Sequence, residues 1–452
     1  MVDTSESQRS RLWQAVGSFS LYSDEIRALL SDSTLEIDGG GSHAELPEIL
    51  SGRTTLALQR LVPADVRRQG GMFFTGADLA DRVAGRLAPM LREGISILDP
   101  ACGAGNLLVA CAKYLPIEET LPQTLARWSD VVSGYDLHRE FVRAAQLGLV
   151  LLAASRHHEF GRLPSDLDPA ETFRGIKVGD VFACERPTAR AKCIIANPPF
   201  GYVAAPEDCE WARGRVQNAG VFFERLLRWA PEGQHLVAVL PDVLRSGTRY
   251  SKWREMVSRF CNSLEIELAG RFDRETDVDV FVLHVVAAGA LGDATSWRWH
   301  TPRTPRTLNK VSDLFDIHVG PVVPHRNPEQ GPVYPYVHAR NTLAGGVLVH
   351  VEEERRYNGR VFSPPFVVVH RTSSPSDRQR CVAAVVNEQR DLAVDNHLLV
   401  LLPRDKALSS CQELVDVLMS AETTEWMNQR IRCRHITVAA LAEVPWYLGH
   451  SL

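Results

Sequence analysis

Residues 193–200 read CIIANPPF. The four apolar residues predict a short buried strand, and the paired prolines end it because proline lacks the N–H that a sheet requires. The prolines also make the next loop rigid and free of competing donors, so the Asn197 amide oxygen and the Pro198 carbonyl are presented as acceptors. The alternative is a plain strand-ending turn, since Asn-Pro commonly starts turns.

A second apolar run ends in small residues upstream, where residues 97–105 read ILDPACGAG. Gly103 and Gly105 allow a sharp turn and a close approach of the backbone to a ligand. The helix predicted from Asn106 onward would direct its N–H groups at that ligand. The loop lacks the Lys and Ser/Thr of a P-loop and a third glycine at dinucleotide spacing, which disfavours nucleoside triphosphates and nicotinamide cofactors.

Acidic residues follow two later strands in the order that a nucleoside cofactor requires. Asp136 ends one strand, where ribose hydroxyls need an acceptor, and Asp180 follows a later one, where it can accept from an adenine amino group. A turn or helix cap is the alternative role of each.

Thr75 lies three residues before Asp78, a spacing that resembles a capping box. The alternative places the Thr75 hydroxyl or nearby backbone on the methionine end of the cofactor.

The two loops together predict methyl transfer from S-adenosylmethionine to an exocyclic amine. Such an amine is a poor nucleophile because its lone pair is delocalised into the ring. Asn197 and Pro198 could each accept one amino hydrogen and orient the lone pair toward the sulfonium methyl. Phe200 would stack on the base, which must first be flipped out of a duplex. Phe272 is the predicted second aromatic wall, with an ordinary core phenylalanine as the alternative.

Strand-like apolar runs alternate with amphipathic helical stretches through the middle of the chain, which predicts an α/β fold with a mostly parallel, doubly wound sheet. The predicted divisions are a short helical segment over residues 1–64, the α/β domain over 65–300 and a further domain over 301–452. A change in composition near residues 293–310, with tryptophans and prolines, marks the last boundary.

The bulk composition is that of a globular protein that carries no strong charge. Lys and Arg number 50 against 55 Asp and Glu, a net charge of −5, whereas nucleic-acid-binding proteins usually have a basic footprint. Arg-rich stretches such as residues 300–310 allow a local basic patch.

No apolar run is long enough to span a membrane and no signal peptide begins the chain, so we expect a cytoplasmic protein. The scattered cysteines predict no metal site.

The ordered motifs resemble those of the N6-adenine DNA methyltransferases of restriction–modification systems, of type I and IIG. The resemblance implies a seven-stranded S-adenosylmethionine-dependent methyltransferase fold. It implies cofactor contacts at Thr75, Asp99, Ala101, Gly103, Gly105, Asp136 and Asp180, and a target-adenine site at Asn197, Pro198, Pro199, Phe200 and Phe272. The motifs, in family order, are GMFFTGADLA, ILDPACGAGNLLVA, SGYDLHREFV, KVGDVF, IIANPPFGYV, HLVAVLPDVLRSG and AGRFDRETDVDVFVL.

The C-terminal part is similar to one target-recognition domain of a restriction specificity subunit, an α+β domain that reads DNA. Its predicted DNA contacts are Arg326, Arg340, Arg371 and Arg378, with solvated surface as the alternative for each. One such domain is half the usual pair, so a bipartite target would need a homodimer or a specificity subunit. Any cleavage would come from a separate restriction endonuclease.

Two rival functions stay open at this point. Methyltransferases of protein glutamine or of RNA share the Asn-Pro-Pro-aromatic loop, although a small substrate would not obviously need the extra domain. The other rival is a non-catalytic DNA-binding subunit. The intact CIIANPPF stretch disfavours that reading. Cytosine C5 methylation is disfavoured because it needs a cysteine nucleophile that this loop lacks.

Overall fold

The computed structural model describes residues 14–31, 45–159, 167–184, 190–273, 276, 278–290, 292, 297–299 and 309–446, with the side chains of 45–52 excepted. The chain divides into two compact units. The first unit is Met1–Leu244 with Ser251–Trp297, and the second unit is Arg245–Tyr250 with Arg298–Leu452. The predicted domain boundaries at residues 64 and 300 stay predictions. Glycines 39–41 and most of the Arg-rich stretch 300–310 lie outside the described residues.

The first unit is built on a seven-stranded sheet with the strand order β3-β2-β1-β4-β7-β9-β8. The strands β1 to β4 and β7 are parallel, and β9 runs antiparallel to both of its neighbours. The α/β prediction with a mostly parallel seven-stranded sheet is thus confirmed. The strands are β1 (Ile97–Asp99), β2 (Val132–Asp136), β3 (Ile176–Val178), β4 (Cys193–Ala196), β7 (His235–Pro241), β8 (Cys261–Arg271) and β9 (Asp279–Ala287), with a separate hairpin of β5 (Tyr202–Ala204) and β6 (Arg215–Gln217).

Helices of the first unit bury apolar residues in its core to different extents. The long helix Arg139–His157 is the clearest case, since its residues from Ala144 to Ser155 are all buried. The α-helices of this part of the chain are Ser20–Ser31, Glu45–Leu61, Ala64–Gly70, Ala77–Gly85, Ala88–Arg92, Asn106–Ala112, Leu121–Val131, Arg139–His157, Pro169–Thr172, Asn218–Trp229, Asp242–Ser246 and Ser251–Arg259, with 3-10 turns at Val181–Ala183 and Thr248–Tyr250.

The described N-terminal residues pack into the first unit through an aromatic cluster. The Phe19 ring lies 4.9 Å from the Phe141 ring and 5.8 Å from the Phe74 ring, both edge-on. Edge-on pairs of this kind are favourable because the positive ring edge meets the negative ring face. The cluster therefore fixes Phe74, which is next to the loop that carries Thr75.

The strand order brings the two predicted loops side by side. β1 and β4 are adjacent and parallel, with Ile97 opposite Cys193 and Leu98 opposite Ile194. Both strands are fully buried, and their carboxyl ends lie at the same sheet edge. From β1 the chain continues to strands on one side of the sheet, and from β4 it continues to strands on the other side. The carboxyl ends of β1 and β4 therefore mark the topological switch point, where α/β sheets bind ligands.

The second unit contains a five-stranded sheet, β10-β17-β14-β15-β12, and a three-stranded sheet, β13-β11-β16. Its strands are β10 (Phe315–Val319), β11 (Val333–Val337), β12 (Val347–Leu348), β13 (Glu354–Arg356), β14 (Phe366–His370), β15 (Ala383–Val386), β16 (Ala393–Val394) and β17 (Leu398–Pro403). Its helices are Val311–Leu314, Leu408–Met419, Ala421–Arg430 and Val438–Ala442.

Both faces of the larger sheet of this unit are buried. In β14, Val367 and Val369 pack in one apolar cluster with the helix Leu408–Met419. The alternate residues Phe366 and Val368 pack in another with Val337. Successive strand residues face opposite sides, so burial on both sides explains why these strands are continuous apolar runs.

The structure corrects one predicted helix in this unit. Residues 411–431 are predicted as one closing helix, but the chain forms two, Leu408–Met419 and Ala421–Arg430. Ser420 between them has an extended backbone, and its hydroxyl accepts a hydrogen bond from the Thr423 N–H. A serine that caps a new helix ends the previous one. No described helix of the chain is long and apolar enough to cross a membrane.

Candidate active site

The loop after β1 has a backbone that only glycine adopts easily. Gly103 and Gly105 have φ angles of 51° and 85°. A Cβ at Gly103 would lie 2.7 Å from a ring carbon of Phe74, and one at Gly105 would lie 2.8 Å from the Cβ of Ala145. Both glycines are therefore required by conformation and by packing. The loop is held in a tight cradle between the Phe74 ring and the helix Arg139–His157.

Two carboxylates organise this cradle. Asp99 is buried and accepts a hydrogen bond from the Ala101 N–H at 3.1 Å. Asp136, at the end of β2, accepts from the Gly103 N–H at 3.0 Å and from the His138 N–H at 2.8 Å. Asp136 thus ties the glycine loop to the neighbouring strand. Each carboxylate keeps lone pairs that can accept from a ligand.

Burial makes both of these carboxyl groups weak acids. Desolvation is the main cause that raises the pKa of Asp99 to about 8, and the nearby Asp136 charge adds to the rise. Desolvation also raises the pKa of Asp136 to about 6, against the opposing backbone hydrogen bonds. A bound cation or hydroxyl donor would favour the ionised forms. Strongly perturbed acids grouped in a loop are typical of functional sites.

Asp180 differs from these two because it is exposed. Its carboxylate accepts from the Phe182 N–H at 2.9 Å and caps the 3-10 turn Val181–Ala183. The cap is the alternative role weighed for this residue, and its second oxygen is available for a ligand. A role of Asp180 in cofactor binding stays a prediction.

The Asn197 side chain is fixed by two hydrogen bonds after β4. Its Nδ2 donates to the Phe73 carbonyl at 2.9 Å and to the Thr75 Oγ1 at 3.1 Å. Its Oδ1 is buried and has no hydrogen-bond partner among the described residues. Asn197 and Pro199 are half-buried, whereas Pro198 is buried. A buried acceptor without a donor costs about 1–3 kcal/mol, which a donor ligand would recover.

The structure corrects the capping-box interpretation of Thr75. The helix Ala77–Gly85 has Gly76 as its N-cap and no side-chain cap. The buried Thr75 hydroxyl instead contacts Asn197, and the Thr75 carbonyl accepts from Asn106 Nδ2 at 2.8 Å. Thr75 therefore links the cofactor loop to the CIIANPPF loop. Sequence reasoning did not single out Asn106 as a site residue, although its place right after the glycine loop is a usable signal.

Three phenylalanine rings meet beside the CIIANPPF loop. The Phe200 ring lies 5.2 Å from Phe272, edge-on, and 6.2 Å from Phe73, nearly parallel. Phe200 and Phe272 are 8% and 7% exposed. A base held between two rings needs about 7 Å between their centres, two carbon contact distances. These rings must therefore separate to admit a base. Phe73 belongs to the motif GMFFTGADLA, but the sequence does not single it out.

The predicted DNA contacts of the second unit fall into two groups. Arg326, Arg340 and Arg378 are exposed. Arg371 is half-buried, and its guanidinium donates to the Asn396 carbonyl at 2.7 Å. Arg371 is thus held in part by the protein itself, whereas the other three side chains are exposed, and a DNA contact at each of the four stays a prediction. The described residues contain no cluster of three or more His, Cys, Asp or Glu that could hold a metal ion.

The strand order, together with the glycine loop at the end of β1, defines the fold of an S-adenosylmethionine-dependent methyltransferase. Within this class, residues 58–223 match the family model described as N-6 DNA methylase. The match covers 166 of the 452 residues, so this part of the chain is similar to that family, and the family implies S-adenosyl-L-methionine as the cofactor. The match ends before the second unit, so it leaves the recognition-domain prediction untested.

One solved structure supports this fold, and a second is reported for its similarity only. The type IIL restriction-modification enzyme MmeI in complex with DNA is 13% identical, with a TM-score of 0.52, over 87% of this chain and 70% of that chain. The type IIG restriction endonuclease BpuSI is 13% identical, with a TM-score of 0.41, over 89% of this chain and 61% of that chain. At such identities the MmeI match shows the fold alone. No protein of curated function matches the sequence.

Proposed function

We propose that this protein is a site-specific DNA methyltransferase that transfers a methyl group from S-adenosylmethionine to N6 of an adenine flipped out of duplex DNA. The observation that carries the proposal is the buried Asn197 Oδ1, which lacks a donor among the described residues. An amino group is the donor that this oxygen would accept from. The loop that would hold the cofactor begins on the adjacent strand.

The residues around the glycine loop fit the cofactor. Asp99, Asp136 and the loop from Ala101 to Gly105 offer carboxylates and close backbone approach. A Cβ at Gly103 or Gly105 would clash with Phe74 or Ala145, so the two glycines are what allow the loop to take this path. We propose that Asp136 accepts from the ribose hydroxyls, that Asp180 accepts from the adenine amino group and that Thr75 lies at the methionine end. When bound, S-adenosylmethionine supplies an electrophilic methyl group on a positively charged sulfur.

The chain orients the amine and needs no basic residue. Asn197 Oδ1 and the Pro198 carbonyl would each accept one amino hydrogen, which favours a tetrahedral nitrogen with its lone pair directed at the methyl group. The nitrogen gains a bond to carbon and loses one hydrogen as a proton. Because both oxygens are neutral and weakly basic, the proton leaves to solvent after transfer. Phe200 and Phe272 would stack on the base once their rings separate.

The second unit is the proposed DNA-reading part. The MmeI alignment covers more of the chain than the first unit holds, so it extends into the second. Arg326, Arg340 and Arg378 are exposed cations that suit phosphate or base contacts. A single recognition domain reads one half of a bipartite site, so we propose that a second copy or a specificity subunit completes recognition.

The test is methyl transfer from labelled S-adenosylmethionine by purified protein. We expect label in duplex DNA that contains the recognition sequence, recovered as N6-methyladenine. Asn197→Ala should abolish transfer, while calorimetry should still detect cofactor binding. The matched control is Asn218→Ala, at the start of the helix after β6 and outside the proposed contacts, which should keep its activity.

Other outcomes would contradict the proposal. Label in a protein glutamine or in RNA, with none in DNA, would establish one of the rival substrates. Cofactor binding without transfer to any of the three polymers would indicate a non-catalytic DNA-binding subunit. Transfer by Asn197→Ala at the wild-type rate would remove the amide from the mechanism.

A further inference from the structure

We infer that Thr75 is a positioning residue that fixes the amide of Asn197 with its oxygen toward the amine to be methylated. This inference rests on the proposed function and gives Thr75 a role beyond cofactor binding. Its physical basis is the pair of hydrogen bonds that hold the amide nitrogen, one from each side of Phe74 in the chain.

The orientation of the Asn197 amide follows from its partners. The Phe73 carbonyl can only accept, so the atom 2.9 Å from it must be the donating nitrogen. A flipped amide would place two carbonyl oxygens against each other. The amide oxygen therefore faces away from residues 73–75, where no described residue donates to it. That is the arrangement an amine-binding site requires.

Thr75 is itself held firmly enough to act as a fixed point. It is buried, and its carbonyl accepts from Asn106 Nδ2 at the start of the helix after the glycine loop. A series of hydrogen bonds thus runs from Asn106 through Thr75 to Asn197. Because the Thr75 hydroxyl is the one side-chain partner of the Asn197 nitrogen among the described residues, its loss would leave the amide held by the Phe73 carbonyl alone.

The test compares Thr75→Val, which keeps the shape and removes the hydroxyl, with Thr75→Ser, which keeps the hydroxyl. We expect Thr75→Val to lower kcat about 10- to 100-fold, as loss of reactant alignment does, and to change cofactor Kd far less than kcat. Thr75→Ser should recover most of the rate.

A matched control removes another buried hydroxyl of the first unit. Thr124 is fully buried, and its Oγ1 accepts from the Glu118 N–H and bonds His157. Thr124→Val should lower stability and leave kcat unchanged. The inference is wrong if Thr75→Val keeps the wild-type kcat, if it weakens only cofactor binding, or if Thr75→Ser is as slow as Thr75→Val.

A second readout does not depend on activity. In protein labelled with 15N-asparagine, the side-chain amide signal of Asn197 is assigned by its loss in Asn197→Ala. Its hydrogens should exchange slowly in the wild type and in Thr75→Ser, and faster in Thr75→Val. Equal exchange in all three would overturn the inference. Absence of methyl transfer in the wild type with the expected exchange pattern would instead count against the proposed function alone.

Discussion

Two residues of the candidate site, Asp99 and Asn197, lower the stability of the free protein. Asp99 is a carboxylic acid buried in a loop of small residues, and Asn197 holds a buried oxygen without a donor among the described residues. Each arrangement costs free energy in the absence of a partner. Such local costs are common where proteins trade stability for binding.

The Asp99 acid gives a prediction about pH and stability. Its pKa is about 8 in the folded protein against an ordinary 3.8, so between these values the folded state holds a proton that the unfolded state has lost. The raised pKa of Asp99 therefore stabilises the folded protein most below about pH 4. This stabilisation is lost as the pH rises to about 8. Asp99→Asn should gain in melting temperature relative to wild type over this window, and should bind the cofactor more weakly.

Asp136 provides a comparison within the same site. Burial raises its pKa to about 6. Asp136→Asn should therefore also gain in melting temperature relative to wild type as the pH rises, but the gain should be complete near pH 6. Melting curves of the three proteins at pH 5, 6.5 and 8 would test this. Parallel curves for wild type and Asp99→Asn would show that Asp99 ionises normally.

The sequence alone located some residues of the candidate site and not the contacts between them. The glycines and Asn197 could be predicted because their roles follow from local geometry, a left-handed turn and a proline-bound loop. The contact between Thr75 and Asn197 joins residues far apart in the chain, and only the assembled sheet brings them together. For the same reason the spacing of Thr75 and Asp78 was a misleading signal for a helix cap.

At the scale of elements, close packing of a loop against a helix limits what can change. The Gly105 backbone meets the helix Arg139–His157, where a Cβ would lie 2.9 Å from the Cα of Ala145. We predict that Gly105→Ala lowers stability by about 1–2 kcal/mol from its left-handed backbone alone, and weakens cofactor binding. Gly17→Ala is the control, because no atom lies within 4 Å of its added Cβ. Equal stability of the two variants by urea unfolding would contradict the prediction.

A histidine pair across two strands gives a second prediction at this scale. His235 Nδ1 lies 3.1 Å from His284 Nε2 between β7 and β9. Desolvation, followed by the neighbouring His235, lowers the pKa of His284 to about 4 from an ordinary 6.5. The unfolded state therefore binds the extra proton first, so stability that is present above pH 6.5 is lost as the pH falls toward 4.

The measurement is urea unfolding at pH 5 and pH 7. Wild type should lose more stability on acidification than His284→Gln, whose side chain does not titrate. A His284→Gln variant that loses as much as wild type would exclude this pair as a source of acid sensitivity.

Element prediction succeeded where the periodicity was strong and failed where tertiary packing decided. β4 has the predicted bounds, Cys193–Ala196, and β7 and β9 extend the apolar runs 236–240 and 280–286, from which they are predicted, by one residue at each end. The strand predicted before Asp180 is the edge strand Ile176–Val178, whose bounds could not be predicted because two of its three residues are exposed and form no apolar run. The predicted closing helix was interrupted at Ser420 because a cap, and not the apolar pattern, set its end.

At the scale of the whole molecule, the proposed cofactor site and the proposed DNA contacts belong to different units, so each proposal can be tested by itself. We predict that replacing Arg326, Arg340 and Arg378 together by glutamine weakens DNA binding. The slope of log binding constant against log salt concentration should become shallower by about one for each DNA phosphate that an arginine no longer neutralises. Cofactor Kd should not change, because the proposed cofactor-binding residues all belong to the first unit.

The control for this variant is Arg404→Gln, which removes an exposed arginine that pairs with Asp316 at 3.0 Å. Binding to a labelled duplex, measured by fluorescence anisotropy over a range of salt concentrations, distinguishes the two. An unchanged salt dependence in the triple variant would exclude these arginines from the DNA interface.

Site-specific adenine methylation that depends on Asn197 is tested most directly in cells. The experiment is long-read sequencing of plasmid DNA from a methylation-deficient host that expresses either the wild-type chain or Asn197→Ala. We expect N6-methyladenine at one recurring sequence with wild type and none with the variant. Modification of another base, modification that persists in Asn197→Ala, or plasmid DNA left unmodified by the wild-type chain would contradict it.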